Sequence, residues 1–219
     1  MVSQATIQTK VNQGFSIVAT AAGVSCEWYR AGSAHSPISG GNWMGALQVL
    51  FDTAPGLMQR TPRRRDKPEE WFGAFDPTGV AVGDYLTTPS SETLFIAAVD
   101  PFRPARLVLC NRTVDIRQPA VKVGYGAIGG YGGDTRAAEM VLASSWPCAM
   151  VQGTKGETGD TRLPGDVKLP WSIVLLPAIP GVVLRNDLIL LDDLNCRRVV
   201  SQAELTPLGW RLSVVLETT

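Results

Sequence analysis

The stretch GDYLTTPSSETLFIAAVDPFRPARLVL, Gly83 to Leu109, decides the fold. An acidic turn leads into a short strand; a polar loop, a longer strand, a Pro-marked turn and a closing strand follow. Short apolar runs bounded by Gly, Pro, Asp and Ser carry the punctuation of antiparallel β structure. An advance of 103 residues reaches NDLILLDDLNCRRVVSQAELTPLGWRL, Asn186 to Leu212, where the same units recur in the same order. Asp84 then falls on Asp187, Leu86 on Ile189, Ile96 on Val199, Ala97 on Val200, Pro104 on Pro207, Leu107 on Trp210 and Leu109 on Leu212. The identities are few, and either a duplicated small barrel or ordinary meander grammar produces such an order. Two related β modules are the preferred architecture.

Working outward, Ile7, Val11, Phe15, Val18 and Ala22 recur at three- and four-residue spacing. They predict one stripe on a helix that ends near Gly23, with Gly14 tolerated inside it. Val24 to Arg30 reads as a strand and the Gly/Ser/Pro-rich residues 31 to 42 as an irregular loop. Residues 43 to 58 fit either an extended arm or a short helix that stops by Pro55-Gly56. Past the first β stretch, Thr113 to Ile116 reads as a further strand, residues 135 to 143 as a short helix, and Trp146 to Val151 and Trp171 to Leu176 as strands. VGYGAIGGYGGD, residues 123 to 134, and residues 152 to 165 are Gly-rich loops. Tyr125 and Tyr131 in the first of them are candidate protein-interface residues, since so permissive a backbone orders only against a surface.

These readings give a mainly β chain with an N-terminal α-helix and two small antiparallel β-barrel-like modules joined by long Gly/Pro-rich loops. The expected boundaries are a helix and extended arm over 1–70, a first β module over 71–119, a Gly-rich linker over 120–145 and a second β module over 146–219.

Composition narrows the chemistry. The 219 residues hold 20 basic and 20 acidic side chains, for a net charge of zero. Residues 1–119 carry 11 basic and 10 acidic, residues 120–219 carry 9 and 10, so neither half binds nucleic acid or an anionic membrane by bulk charge. The apolar runs are strand-sized, and the polar N-terminus lacks the apolar core of a secretory signal. One histidine, His35, leaves few ways to build a zinc site or a His-based triad. Cys26, Cys110, Cys148 and Cys196 are scattered without a CxxC pair and read as small buried hydrophobes in a reducing compartment.

Several motifs imitate chemistry. Gly124, Gly126 and Gly129 satisfy G-x-G-x-x-G, but no αβ alternation precedes them and no clear helix follows to receive a pyrophosphate. Asp187, Asp192 and Asp193 suggest a carboxylate cluster, yet LLDDLNC equally suits a hairpin turn, which is the preferred reading. His35 lies in a loop-like context far in sequence from every cysteine, and the acceptor sequence Asn111-Arg112-Thr113 carries no chemistry without a secretory signal. The run Arg63, Arg64, Arg65 and Lys67 is a candidate phosphate contact. Adjacent Glu69 and Glu70 weaken its field, and flanking prolines favour a solvated or protein-contacting loop.

Three stretches resemble structural proteins of tailed bacteriophages, of the class found at the head-to-tail junction or along the tail axis. VNQGFSIVATAAGVSCEWYRAGS, residues 11–33, resembles an opening helix followed by a Tyr-Arg strand. Residues 71–112, with a Gly-Asp turn and a Phe-Ile-Ala-Ala strand, resemble the β unit, and residues 186–217, with Gly-Trp-Arg-Leu, resemble a terminal β unit. The resemblance covers under half of the chain and has no catalytic signature. The large Gly-rich centre departs from the smallest connector proteins.

The resemblance implies a non-enzymatic virion protein, an adaptor, stopper or tail-proximal component, with no cofactor and no metal. It implies β modules packed in a ring of six or twelve copies around the DNA channel. Portal or other connector and tail proteins would be partners, with transient non-specific contact to genomic DNA and no membrane. Assembly would take place in the host cytoplasm. Arg63, Arg64, Arg65 and Lys67 then become candidate DNA-channel contacts, Tyr125 and Tyr131 candidate interface residues, and Trp43, Trp71, Trp146, Trp171 and Trp210 candidate anchors. The alternatives are a distal tail or baseplate binding module, and a nucleotide-dependent enzyme that uses the glycine loop 124–129.

Overall fold

A computed structural model describes residues 3–52, 69–119, 139–153 and 171–217. Helix α1 (Gln4–Ala22) opens on Ser3, whose hydroxyl accepts the Thr6 amide at 3.2 Å, and closes on Gly23, whose amide donates to Ala19 O at 2.8 Å. The expected stripe is rotated on the helix. Ala19 is buried and Val11 and Phe15 are half-buried against the barrel, whereas Ile7, Val18 and Ala22 are exposed. Gly23 permits this seat, because a Cβ there would stand 2.8 Å from the Val49 backbone.

The rest of the described residues form two closed antiparallel barrels of six strands each. The first contains β1 (Val24–Tyr29), β2 (Trp43–Asp52), β3 (Glu70–Ala74), β4 (Tyr85–Thr87), β5 (Thr93–Ala98) and β6 (Ala105–Leu109). The second contains β7 (Arg112–Gln118), β8 (Met140–Gln152), β9 (Trp171–Leu176), β10 (Ile189–Asp192), β11 (Arg197–Thr206) and β12 (Gly209–Leu216). Round the first barrel the order is β1-β2-β3-β6-β5-β4, with β4 closing on β1. Round the second it is β7-β8-β9-β12-β11-β10, with β10 closing on β7. The two circuits are the same when β1 is matched to β7 and each later strand to its counterpart.

The correspondence extends to single hydrogen bonds. Gly83 N donates to Ile96 O and Ile96 N to Asp84 O; Asp187 N donates to Val200 O and Val200 N to Leu188 O. Between β4 and β5, Thr88 N donates to Glu92 O and Ser91 N to Thr88 O, matched by Asp192 N to Cys196 O and Asn195 N to Asp192 O. Left-handed backbone recurs at matching places, with φ 95° at Gly83 and 68° at Asp187, and 67° at Ser91 and 59° at Asn195. Both β5 and β11 carry a bulge, between Ile96 and Ala98 and between Val200 and Gln202.

These pairs stand 104 residues apart, one more than the sequence offset. Ile96 therefore matches Val200, and Asp84 matches Leu188. After the bulge the spacing changes again, because Ile96 pairs with Leu107 while Val200 pairs with Val214. Leu107 thus corresponds to Val214 and not to Trp210. The β11–β12 hairpin is longer than its counterpart, and a fixed offset cannot follow an insertion.

The strand assignments redraw the expected boundaries. Residues 24–52, expected within a helix-and-arm segment, supply β1 and β2 of the first barrel. β7, expected in the first module, opens the second. Only Cys110 and Asn111 separate the barrels, and the Gly-rich residues 120–138 fall between β7 and β8, inside the second barrel's circuit. Residues 140–143 are strand where a short helix was expected. The reason is long-range pairing that local spacing does not report: β1 closes on β4, β7 closes on β10, and Met140 to Ala143 pair with Ile116 to Gln118 of β7.

The apolar run in β5 has a structural cause. Leu94 and Ile96 join Leu86 and Leu107 inside the first barrel, whereas Phe95 and Ala97 join Tyr85 and Val108 in a core shared with the second barrel. A strand buried on both faces reads as continuous hydrophobicity without alternation.

Candidate functional site: the seam between the barrels

Tyr85, Phe95, Ala97 and Val108 cover the outside of the first barrel and pack into the core of the second, which includes Trp146, Cys148, Val174 and Leu190. Tyr85 and Trp146 are both fully buried, with ring centroids 6.0 Å apart, and Phe95 meets Tyr85 edge-on at 6.3 Å. The Tyr85 hydroxyl donates to Pro147 O at 2.7 Å, so its polar tip is satisfied within the apolar block. Burial, with lesser contributions from Cys110 and Cys148, holds the Tyr85 phenol well above its usual pKa, so it stays a donor.

The loop after β1 laces the seam from outside. Ser144 N donates to Ala34 O at 3.2 Å and Ser36 N donates to Ser144 O at 3.0 Å, forming a parallel bridge between His35 and Ser144. The Trp146 indole donates to Ala34 O at 2.7 Å. The Asn42 amide accepts from Gly32 N and donates to Ser36 O and Pro37 O, which fixes the loop. Asn111 of the two-residue link exchanges two 2.8 Å bonds with Met150 of β8.

Charge networks brace each barrel. Asp84, almost fully buried, accepts from Trp28 Nε1 at 2.8 Å, Arg30 Nε at 2.8 Å, Arg30 Nη2 at 2.7 Å and Ala81 N at 2.9 Å. In the second barrel Asp192 accepts from Leu194 N and Cys196 N and pairs with Arg198. Burial would push the Asp192 carboxyl up, but the bond from Arg198 and the two amides outweigh it and hold the pKa below its ordinary value. Arg197 bridges Glu139 and Glu217 at 2.6 Å each, which ties the approach to β8 to the chain's last described residue.

The chemistry open to these groups is narrow. Desolvation pushes the Cys26 thiol up to about 11 and raises Cys110 and Cys148 as well, so these remain protonated and poor nucleophiles. His35 Nδ1 lies 3.0 Å from Ser144 Oγ, but the pair is solvent-exposed and no carboxylate among the described residues orients the ring. Asp192 and Asp193 stand at the β10–β11 turn, and among the described residues no three His, Cys, Asp or Glu side chains converge to hold a metal. A pocket of about 30 Å³, lined by Gln8, Asn12, Phe15 and Phe75 among others, has room for a water. The shared core and the external loop lock two barrels into one block.

Of the residues expected to act, Arg63, Arg64, Arg65, Lys67, Tyr125 and Tyr131 lie outside the described residues, as do Gly124, Gly126 and Gly129. Among the tryptophans, Trp146 is at the seam, Trp210 is buried, Trp71 and Trp171 are half-buried and Trp43 is exposed. Sequence reasoning missed the seam. Its one local signal was the unalternating run Leu94 to Ala97, which asks for two buried faces. Comparison with family models, with curated proteins and with solved structures found no match. Among the described residues no helix is long and apolar enough to cross a membrane.

Proposed function

We propose that this chain is a non-enzymatic structural protein of a tailed-phage virion, part of the ring-shaped head-to-tail connection around the DNA channel. The observation that carries the reading is the seam. Two barrels of one topology are fused through a shared apolar core and an external loop, so the chain presents fixed outer surfaces and filled interiors. Such a block suits repeated protein contacts in a ring better than chemistry on a small molecule. The three stretches that resemble phage structural proteins fall on α1 with β1, on β3 to β6, and on β10 to β12.

In this reading the chain assembles with itself in six or twelve copies and meets portal, connector or tail proteins. Arg63, Arg64, Arg65 and Lys67 touch passing DNA through phosphates without reading sequence. Labelling the C-terminus and imaging purified particles tests the placement. A label at the head-to-tail junction is the expected result; a label at the distal tail transfers the chain to the baseplate class, and unlabelled particles overturn the virion assignment.

A further inference from the structure

β2 and β8 each carry a free side at the matching place. β3 pairs with β2 only from Leu50 to Asp52, and β9 with β8 only from Ala149 to Gln152, so the earlier residues of both long strands have a barrel neighbour on one side alone. On β8 the first barrel takes up this free side. Ser144 N donates to Ala34 O and Ser36 N to Ser144 O, so residues 34–36 add to it as a short parallel strand. They belong to the connection between β1 and β2, whose counterpart in the second barrel is the connection of residues 119–139 between β7 and β8.

The strand register matches the two free sides. Trp28 pairs with Gly45 and Cys26 with Leu47, as Ile116 pairs with Ala143 and Val114 with Trp146, so Ala46 stands where Ser144 and Ser145 stand. The covering differs. Trp146 and Pro147 are buried and Ser144 half-buried, whereas Leu47 is half-buried, Ala46 and Gln48 are exposed, and Trp43 and Met44 are 54% and 47% exposed. Gly23, at the end of α1, lies against Val49, and no described residue bridges to the free side of residues 43–48. The stretch WMGALQ holds no charge and no proline, two of the usual guards of an open strand edge.

We propose that this edge of β2 takes residues 123–134 of a second copy, VGYGAIGGYGGD, added as a parallel strand with a tyrosine laid over Trp43. The connection that fills the β8 edge passes from one barrel to the next. Among the described residues no barrel stands before the first, so the repeat points to the matching connection of another copy as the occupant. Its chemistry fits. Up to Gly133 it is as uncharged as residues 34–36, its glycines let backbone approach backbone, and Tyr125 and Tyr131 bring flat apolar rings with a polar tip to the exposed Trp43. A charged segment would meet residues 43–48 with nothing there to pair it. In strand addition the main-chain bonds supply affinity and the side chains select the partner. The contact joins one surface of a copy to a different surface of the next, so it propagates head to tail. The inference rests on the internal repeat and not on the virion reading, which particle imaging tests separately.

Ordering a glycine-rich segment costs entropy, so the association is weak and visible at high protein concentration. Sedimentation velocity on the full chain, from low to high micromolar, is the test, with two variants alongside: Met44→Lys with Ala46→Lys on the edge, and Tyr125→Ser with Tyr131→Ser on the segment. The two edge side chains are exposed, and melting temperatures equal to that of the wild type check that both variants fold. The expected result is self-association of the wild type that weakens at least about tenfold in each variant alone. An equal mixture of the two variants should form one-to-one pairs that grow no further, because each supplies the half that the other lacks. A wild type that stays monomeric at high micromolar concentration overturns the proposal, and is the outcome if the segment seats on its own chain. Association that survives the tyrosine change, as two β2 edges paired together would give, overturns it too, as does a mixture that stays monomeric.

Discussion

Substituting Tyr85→Phe probes the seam with the smallest possible change. The ring stays, with its contacts to Phe95 and Trp146, and only the hydroxyl that donates to Pro147 O at 2.7 Å is removed. Tyr85 is fully buried, so water cannot replace the lost donor. Loss of one hydrogen bond together with an abandoned buried carbonyl costs about 1–3 kcal/mol. For a chain of this size about 2 kcal/mol lowers the melting temperature by roughly 4–8 °C. Because the seam residues belong to one core, both barrels should unfold together. Urea titration followed by tryptophan fluorescence and by far-UV circular dichroism should give coincident single transitions in wild type and variant, with the variant's midpoint lower. A cost under about 0.5 kcal/mol, or a wild type whose two probes report separate transitions, refutes the claim that the seam fuses the barrels.

Other expectations follow from the same geometry. Asp187→Gly and Asn195→Gly should each be neutral or stabilising by up to about 1 kcal/mol in thermal melts, since both residues occupy left-handed backbone that glycine enters freely. Gly209→Ala should be strongly destabilising: φ there is 110° and a Cβ would stand 2.6 Å from Leu176 O. Asp192 titrates below its ordinary value of 3.8 in the folded chain, so its stabilising contribution is present above that pH and is lost as the pH falls through the folded pKa. The stability gap between wild type and Asp192→Asn, measured by urea denaturation, should therefore be widest near neutrality and close in acid. Changing Arg63, Arg64 and Arg65 together to Glu should lower infectious titre and packaged-DNA retention at unchanged particle number; normal infectivity would remove these residues from the DNA channel.

The parts of the fold set by local rules were legible in the sequence. Gly23 marks the end of the helix, an acidic turn opens each recurring β unit, and the apolar runs of β5 and β9 read directly as strands. What stayed hidden depends on closure. β1 and β2 become barrel strands only because β1 pairs with both β2 and β4, and nothing in the Gly/Ser-rich residues between them signals it. The repeat was visible as an order of units, but its register needed the matched bonds of Gly83 with Ile96 and of Asp187 with Val200. The longer β11–β12 hairpin then displaced the Trp210 match. The helix stripe was misplaced because the apolar residues of α1 run in one broad arc from Phe15 and Val11 round to Val18 and Ile7, so spacing alone could not say which of them meet the barrel. The seam joins residues about sixty apart, Tyr85 and Pro147, and such a contact leaves no periodicity behind.

The proposed virion role is tested most directly by quantitative mass spectrometry of purified particles, with this chain counted against the major capsid protein. About six or twelve copies per particle is the stoichiometry expected of a ring at the junction. Complete absence of the chain from intact virions would contradict the structural assignment and make nucleotide binding by the 124–129 glycine loop the next question.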